Sequence, residues 1–183
     1  MRNASFANAA VSAGPVTLEI SPGQRAALGF STPREASVVA LMAAGIVKAS
    51  TGCVLVADYD PRVQSVHCKR IAGFVPHEPL HLGEGDFFRY VGYRAALWSL
   101  DAQAARAYAR VLRERLDGVH EAFAFPLIGA LIARPQLLVL DRPQRAYVRQ
   151  ILNAIDGTAL LSTHAHVGDA EAFADSCETA AAR

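Results

Sequence analysis

The hydrophobic residues of this chain recur in short, continuous runs that are separated by stretches with helical periodicity. Three runs predict buried strands, at residues 25–30 (RAALGF), 137–141 (LLVLD) and 158–163 (TALLST). The stretches with helical periodicity predict helices at residues 36–47, 63–70, 99–116, 120–133, 144–155 and from 167 onward. Buried strands that alternate with helices are typical of an α/β fold with a parallel sheet.

Further strands are predicted outside these three runs. Residues 16–20 (VTLEI) alternate between apolar and polar side chains, residues 53–61 (CVLVADYDP) run into a turn, and residues 71–76 (IAGFVP) form a short apolar run. Residues 77–99 are rich in aromatic side chains and are predicted to be irregular. Because no repeat or long linker divides the chain, we expect a single domain over residues 1–183.

Composition and charge exclude several classes of function but do not identify one. The chain has 183 residues, of which 52% are hydrophobic and 19% charged, and its net charge is +1. A near-neutral chain offers no electrostatic basis for binding nucleic acid. The cysteines Cys53, Cys68 and Cys177 are odd in number and widely spaced, which favours free thiols in a reducing compartment. The sequence has no secretory leader and no apolar run of bilayer length, so it predicts a cytoplasmic protein without direct membrane insertion.

The ends of the predicted strands carry the candidate chemistry. The three apolar runs end at or near Gly29, Asp141 and Thr163-His164. Ligands of open parallel sheets bind at the carboxyl ends of the strands. We therefore expect these residues to meet at one edge of the sheet. The segment GFSTPREAS (29–37) lies between a strand and an apolar helix, which is where a phosphate-binding loop would be found.

Taken together, these segments resemble the ATPase domain of ATP-binding cassette (ABC) transporters over almost the whole chain. Residues 130–143 (ALIARPQLLVLDRP) resemble the run that carries the Walker B strand, and residues 160–164 (LLSTH) resemble the strand that ends in the switch histidine. Residues 71–79 (IAGFVPHEP) resemble the strand that leads into the Q-loop. The resemblance implies a P-loop-NTPase-like α/β domain, with a shortened helical subdomain at about residues 78–133.

The phosphate loop departs from the family pattern at its chemical positions. Gly29 matches the first glycine, Arg34 stands at the second glycine, Glu35 replaces the lysine, and Ala36 offers no hydroxyl for Mg²⁺, although Ser37 keeps one at the next position. Replacing lysine by glutamate reverses a charge beside the phosphates. Unit charges ~4 Å apart interact by about 4 kcal/mol at an effective dielectric constant of ~20, so repulsion in place of attraction would be severe. The resemblance therefore implies a degenerate phosphate loop.

The other family motifs depart in a similar way. Asp141 matches the Walker B aspartate, but Arg142 stands where the general-base glutamate would be, and a guanidinium cannot accept a proton from water. His77 lies at the Q-loop glutamine position, and LDGVHEAF (116–123) stands in place of the LSGGQ signature. The residues after Pro143 leave no room for a D-loop. Among the remnants of the catalytic residues, Asp141 and His164 match the family positions.

The resemblance implies a non-hydrolysing pseudo-ATPase that acts as an interaction or regulatory subunit of a transporter-like complex, with no cofactor. We expect its partner to be a catalytic ABC subunit, a membrane transporter subunit or a second copy of the chain, which could bring it to the inner face of the membrane. One alternative is a divergent subunit that binds ATP and Mg²⁺ with a catalytic partner, with Arg34 substituting for the lysine. A second is an unrelated α/β enzyme that uses Asp141 and His164 as an acid/base pair.

Two histidine patterns raise the question of a metal site. Residues 77–81 (HEPLH) match HExxH, which binds zinc only when both histidines lie on one helical face. Pro79 stands between them and opposes a continuous helix. His164 and His166 have no evident third ligand, so we expect no metal site.

The resemblance also predicts the arrangement of the loop. Residues 31–35 should lie over the carboxyl edge of the sheet. Either Glu35 or Arg34 should turn toward the space that phosphates would take, and we expect the Arg34 side chain to narrow or fill that space. We also expect the Glu35 carboxylate to pair with an arginine such as Arg34 or Arg142, because a buried carboxylate needs a partner.

Overall fold

The computed structural model describes residues 1–78, 80, 86–155 and 157–181, with side chains as far as residue 177. The strands of this part of the chain are β1 (Arg2–Ala7), β2 (Ser12–Val16), β3 (Arg25–Gly29), β4 (Thr51–Cys53), β5 (Ala72–Val75), β6 (Leu137–Asp141) and β7 (Ala159–His164). The helices are α1 (Pro33–Ala43), α2 (Ser65–Ile71), α3 (Phe87–Leu97), α4 (Ala102–Arg115), α5 (Glu121–Leu131), α6 (Val148–Ala154) and α7 (Val167–Ala181). A single 3₁₀ turn, Arg145–Tyr147, precedes α6.

The main sheet is parallel and has the order β3-β7-β6-β5. Strand β7 lies between the two other strands whose ends carry candidate chemistry. Its register places His164 opposite Gly29 on one side and Thr163 opposite Asp141 on the other. The prediction that the three apolar runs are neighbouring parallel strands is therefore confirmed, and so is the α/β fold class.

Both faces of β6 and β7 are covered, which explains why these strands are apolar without alternation. On one face, Val139 and Leu161 pack against the small residues of α1, such as Ala40. On the other face, Leu138 and Leu160 belong to the largest hydrophobic cluster, which includes residues of α5, α6 and α7. The two strands therefore hold the edge that carries Asp141 and Thr163 between two packed layers.

The second sheet is antiparallel, with the order β2-β1-β4, and it differs from the prediction in three places. The predicted strand at 16–20 is wrong, because β2 ends at Val16. Strand β1 was not predicted, since RNASFA lacks the β-branched residues that favour strands; its pairing with both neighbours forms it. The strand predicted at 53–61 is wrong: β4 ends at Cys53, and Ala57 and Asp58 take left-handed backbone angles (φ 45° and 66°) that break an extended run.

Three helices, α3, α4 and α5, pack against one another beside the main sheet. The prediction that residues 77–99 are irregular is wrong, because α3 covers Phe87–Leu97. Its buried residues Phe87, Val91 and Ala95 recur every four positions, which is a helical spacing. The predicted start of α4 at Ser99 is also wrong: Asp101 is the N-cap, and its carboxylate accepts a hydrogen bond from the Ala104 amide (2.7 Å). The bounds of the helical subdomain at about 78–133 stay a prediction.

Gly29 lies where β3 meets the start of α7, and this contact leaves no room for a side chain. A Cβ atom at Gly29 would lie 2.8 Å from the backbone nitrogen of Val167, closer than real Cβ atoms come to backbone. We expect Gly29→Ala to lower the free energy of unfolding by about 1–3 kcal/mol through overpacking, as measured by chemical denaturation. The matched control is Gly168→Ala, because a Cβ there meets nothing within 4 Å. Equal stability of the two variants would contradict the packing at this strand end.

Candidate functional site

The loop between β3 and α1 is closed by its own side chains. The Thr32 hydroxyl accepts a hydrogen bond from the Glu35 amide (3.2 Å). In return, the Glu35 carboxylate accepts hydrogen bonds from the amides of Ser31 and Thr32, both at 3.1 Å. This reciprocal arrangement is a capping box, and Pro33 provides the first helical residue. Two amides at the tip of the loop are thus already hydrogen-bonded to a carboxylate of the same chain.

The predicted arrangement of the loop is only partly right. The Arg34 side chain is exposed at the surface, and no contact places it in the space beside the loop. Glu35 does not form the predicted ion pair with Arg34 or Arg142, because its carboxylate reaches the nearby loop amides instead. Ala36 is completely buried and contributes a methyl group where the family resemblance would require a hydroxyl. Of the two side chains that the prediction offered for the space beside the loop, Glu35 therefore contacts the loop amides and Arg34 is exposed.

Asp141 ends strand β6 and is the buried charge of the site, with only 6% of the residue exposed. The Ser37 hydroxyl donates a hydrogen bond to its Oδ2 atom (2.7 Å), and the Arg142 Nε atom donates to Oδ1 (3.1 Å). The Arg142 Nη2 atom also donates to the Ser37 Oγ atom (3.1 Å), which closes a three-membered network. A buried carboxylate is costly unless it is paired and hydrogen-bonded, and both conditions are met here.

His164 lies at the end of β7 on the opposite face of the sheet from Asp141. Its Nε2 atom is 3.0 Å from the Ser162 Oγ atom, and its ring packs against Phe173 of α7 at 5.1 Å between centroids. Asp141 is opposite Thr163 in the register and contacts α1 on the other face. The sheet therefore separates Asp141 from His164, and the geometry does not support an acid/base pair made of these two side chains.

Burial lowers the pKa of His164, and the negative charges of Asp169 and Asp141 oppose this effect only in part. The ring is therefore neutral near pH 7. A neutral, buried ring can accept or donate a hydrogen bond to Ser162, but it carries no positive charge toward the strand ends.

Two cavities flank the backbone of Arg142 at this edge of the sheet. One is about 440 Å³ in volume and is lined by His77, Arg142, Arg145, His164, His166 and Asp169, among others. The other is about 470 Å³, lies toward α5, and is lined by residues that include His77, Glu78, His120, Phe123, Asp141 and Tyr147. His77 and Arg142 line both cavities, and the His77 Nδ1 atom is 3.3 Å from the Arg142 carbonyl oxygen.

Sequence reasoning missed three features of this site. It noted only that Ser37 keeps a hydroxyl next to the Mg²⁺ position, whereas the Ser37 hydroxyl joins Asp141 to Arg142. It also predicted Glu35 as a possible ion-pair partner of Arg142, whereas the partner is the adjacent Asp141. His120, which caps α5 by accepting a hydrogen bond from the Ala122 amide (3.2 Å), carried no sequence signal.

The possible metal sites can be compared with the part of the chain that is described. There, no group of three or more histidine, cysteine, aspartate or glutamate side chains comes close enough to hold a metal ion. His77 is not in a helix, while Pro79 and His81 of the HExxH pattern lie outside the described residues. Cys53 and Cys68 are free thiols. No helix within the described ranges is long and apolar enough to cross a membrane.

Comparison with solved structures gives close matches to the fold. A dimeric bacterial ABC transporter cassette, MJ0796, superposes with a TM-score of 0.70 over 93% of this chain and 89% of that chain, at 15% sequence identity. CbiO1 of Clostridium perfringens, part of the ABC transporter complex cbiONQ, gives a TM-score of 0.70 over 89% of this chain and 76% of that chain, also at 15% identity.

The fold is that of an ABC transporter ATP-binding domain. Sequence comparison agrees, although no family model matches. The chain is 32% identical over 143 residues to the "Putative ABC transporter ATP-binding protein SCO2324" of Streptomyces coelicolor. This match covers 71% of the chain but only 25% of that protein, so the chain spans about a quarter of the length of its curated relative. It thus matches ABC ATP-binding domains in sequence and in structure.

The lowered pKa of His164 predicts a pH dependence of stability. In the unfolded chain the histidine binds a proton near pH 6.5, whereas the folded chain holds it neutral to lower pH. The contribution is therefore fully present above pH ~6.5 and is lost as the pH falls toward the folded pKa. We expect chemical denaturation to show a steeper loss of stability from pH 7 to pH 5.5 in the wild type than in His164→Gln.

The exposed His166 supplies the matched control, since His166→Gln should keep the wild-type pH dependence. Ring NMR should show His164 titrating below pH 6.5. A midpoint above 6.5 would contradict the neutral, buried ring.

Proposed function

We propose that this chain is a non-hydrolysing homologue of ABC transporter ATP-binding proteins and that it acts as an interaction or regulatory subunit of a transporter-like complex. The observation that carries the proposal is the ion pair between Asp141 and Arg142, 3.1 Å long. Hydrolysis needs a group that accepts a proton from the attacking water, and the resemblance places that group directly after Asp141. A guanidinium with no acceptor stands there, and it is bound to the aspartate itself.

The residues of the phosphate loop support the same proposal, because they do not fit a magnesium nucleotide. Phosphate binding at a helix N-terminus relies on free amides and favours nearby positive charge. Here the amides of Ser31 and Thr32 are hydrogen-bonded to the Glu35 carboxylate, whose charge would repel a phosphate. Magnesium requires oxygen ligands. Ala36 provides none, and both oxygens of Asp141 already accept hydrogen bonds.

The proposed partners are a catalytic ABC subunit, a membrane transporter subunit or a second copy of the chain. Support comes from the related structures, one of which is dimeric and another of which is part of a transporter complex. In this proposal the protein is cytoplasmic, and a partner brings it to the inner face of the membrane. A subunit that keeps the ATPase fold but not its chemistry could still fill the place of a cassette in such an assembly.

One observation favours the alternative of a divergent subunit that binds ATP together with a catalytic partner. The Ser37 hydroxyl and the Asp141 carboxylate remain within 2.7 Å of each other, so two oxygen groups are still paired beside the loop. The exposed Arg34 also supplies a cation next to the loop. In this alternative, nucleotide would have to displace both Glu35 from the loop amides and Arg142 from Asp141.

Calorimetric titration with Mg-ATP separates the two proposals. We expect no heat of binding at sub-millimolar nucleotide, because Glu35 occupies the loop amides and Arg142 occupies Asp141. The informative variant is Glu35→Gln, which removes the negative charge but keeps an amide oxygen for the loop; Glu171→Gln on the exposed side of α7 is its control. A wild-type dissociation constant in the micromolar range, with or without a catalytic cassette present, would replace the first proposal by the second.

A further inference from the structure

We infer that the Arg142 guanidinium is an internal cation that takes the place of a divalent metal ion at an oxygen site made by Asp141, Ser37 and Thr163. On this inference, the site has not only lost residues that would bind a magnesium nucleotide but has also gained a cation of its own. The chain has replaced an exchangeable cation by a covalently attached one. The inference extends the proposed function by assigning a structural role to the residue that removes the base.

The contacts of the guanidinium are those that a bound cation would make. It lies against one oxygen of Asp141 and against the Ser37 hydroxyl, while that hydroxyl donates to the other oxygen of Asp141. Hydroxyl and carboxylate oxygens are the ligands that hard divalent cations prefer. Only 7% of the Asp141 side chain and 23% of the Arg142 side chain are exposed, so the pair is shielded from bulk solvent.

Thr163 supplies an independent observation. Its Oγ1 atom is completely buried and, in the described part of the chain, has no hydrogen-bond partner. Thr163 is opposite Asp141 in the strand register, so both side chains lie on the face of the sheet toward α1. Buried polar atoms nearly always have a partner. The Thr163 hydroxyl has no partner, although the neighbouring Asp141 is already paired with Arg142. This indicates a site with more oxygen ligands than the guanidinium contacts.

The backbone at Arg142 shows how the side chain reaches its neighbour. Its φ angle is +51°, a left-handed conformation that residues other than glycine, asparagine and aspartate rarely adopt. The Arg142 amide donates to the Thr163 carbonyl oxygen (2.8 Å), which fixes this turn directly after β6. The turn brings the guanidinium back over Asp141. It also means that glycine could replace Arg142 without backbone strain.

The test is to remove the internal cation and ask whether a metal ion takes its place. Arg142→Gly deletes the guanidinium at a position that suits glycine, and Arg142→Asn is a second variant that also tolerates the left-handed backbone. Binding of Mn²⁺ is measured by the loss of the free-ion EPR signal, and stability by thermal denaturation with and without Mn²⁺. No nucleotide is needed.

We expect the wild type to leave the Mn²⁺ signal unchanged and to melt at the same temperature with or without the ion. Arg142→Gly or Arg142→Asn should bind about one ion, at least ~tenfold more tightly than the wild type. The ion should raise the Tm of the variant by roughly 5 °C. Adding Asp141→Asn to the variant should abolish both effects. Arg142→Lys keeps a cation and should exclude Mn²⁺, while Arg149→Gln, an exposed arginine of α6, is the control for the loss of one positive charge.

Folded Arg142→Gly or Arg142→Asn protein that binds no Mn²⁺ would overturn the inference, and so would Mn²⁺ binding by the wild type at Asp141. If both variants fail to fold without the ion, refolding that Mn²⁺ restores would support it, and refolding that Mn²⁺ does not restore would overturn it. The proposed function fails separately: a wild type that binds ATP without a divalent ion would contradict the proposed function and leave the internal cation in place.

Discussion

A buried carboxylate at the end of a parallel strand must be compensated, and the compensation of Asp141 organises the whole site. Strand β6 is covered on both faces, so its last residue lies where water cannot solvate a charge. Compensation comes from two directions: the Ser37 hydroxyl from α1, and the Arg142 guanidinium from the turn after β6. The network thus ties a helix, a strand and a turn together at the position where this fold elsewhere binds its ligand.

In the loop after β3, the polar groups are likewise hydrogen-bonded by side chains of the same chain. Helix α1 begins with amides that have no partner within the helix, and the Thr32–Glu35 capping box supplies partners from the sequence itself. Two amides of the loop are therefore hydrogen-bonded within the chain, as are both carboxylate oxygens of Asp141. In our proposal, the Glu35 carboxylate stands in for the charge of a phosphate and the Arg142 guanidinium for the charge of a magnesium ion. In this account, hydrophobic packing stabilises the fold, and the ion pair of Asp141 and Arg142 stabilises the buried carboxylate of the site.

The sequence predicted the main sheet well because the cause is local and periodic. Residues 137–141 and 158–163 are short, mostly apolar runs, and such runs are typical of strands that are buried on both faces. Their shared direction follows from the intervening helix, and this brings Gly29, Asp141 and His164 to one edge. The ABC resemblance added the order of the segments. Strand β1 could not be predicted, because its pairing with residues 12–16 and 51–53 is a tertiary contact that RNASFA does not encode by propensity.

The contacts of the site were harder to predict than its position. The order of the strands predicted that these residues lie at one edge of the sheet. It did not predict whether the Glu35 carboxylate would bind an arginine or the amides of its own loop. Glu35 was expected to pair with an arginine, and instead reaches loop amides three and four residues before it. The face of the sheet was also undetermined: Asp141 and His164 both follow apolar strands, yet a difference of one position in the register puts them on opposite faces.

A double-mutant cycle on Asp141 and Arg142 measures the central interaction directly. Asp141→Asn, Arg142→Gly and the double variant are compared with the wild type by chemical denaturation in metal-free buffer, and the exposed pair of Asp60 and Arg62 serves as the reference. The account predicts a coupling energy of about 1–3 kcal/mol for the buried pair, because removing either partner leaves the other charge poorly solvated. Independent, additive effects of the two substitutions would contradict it.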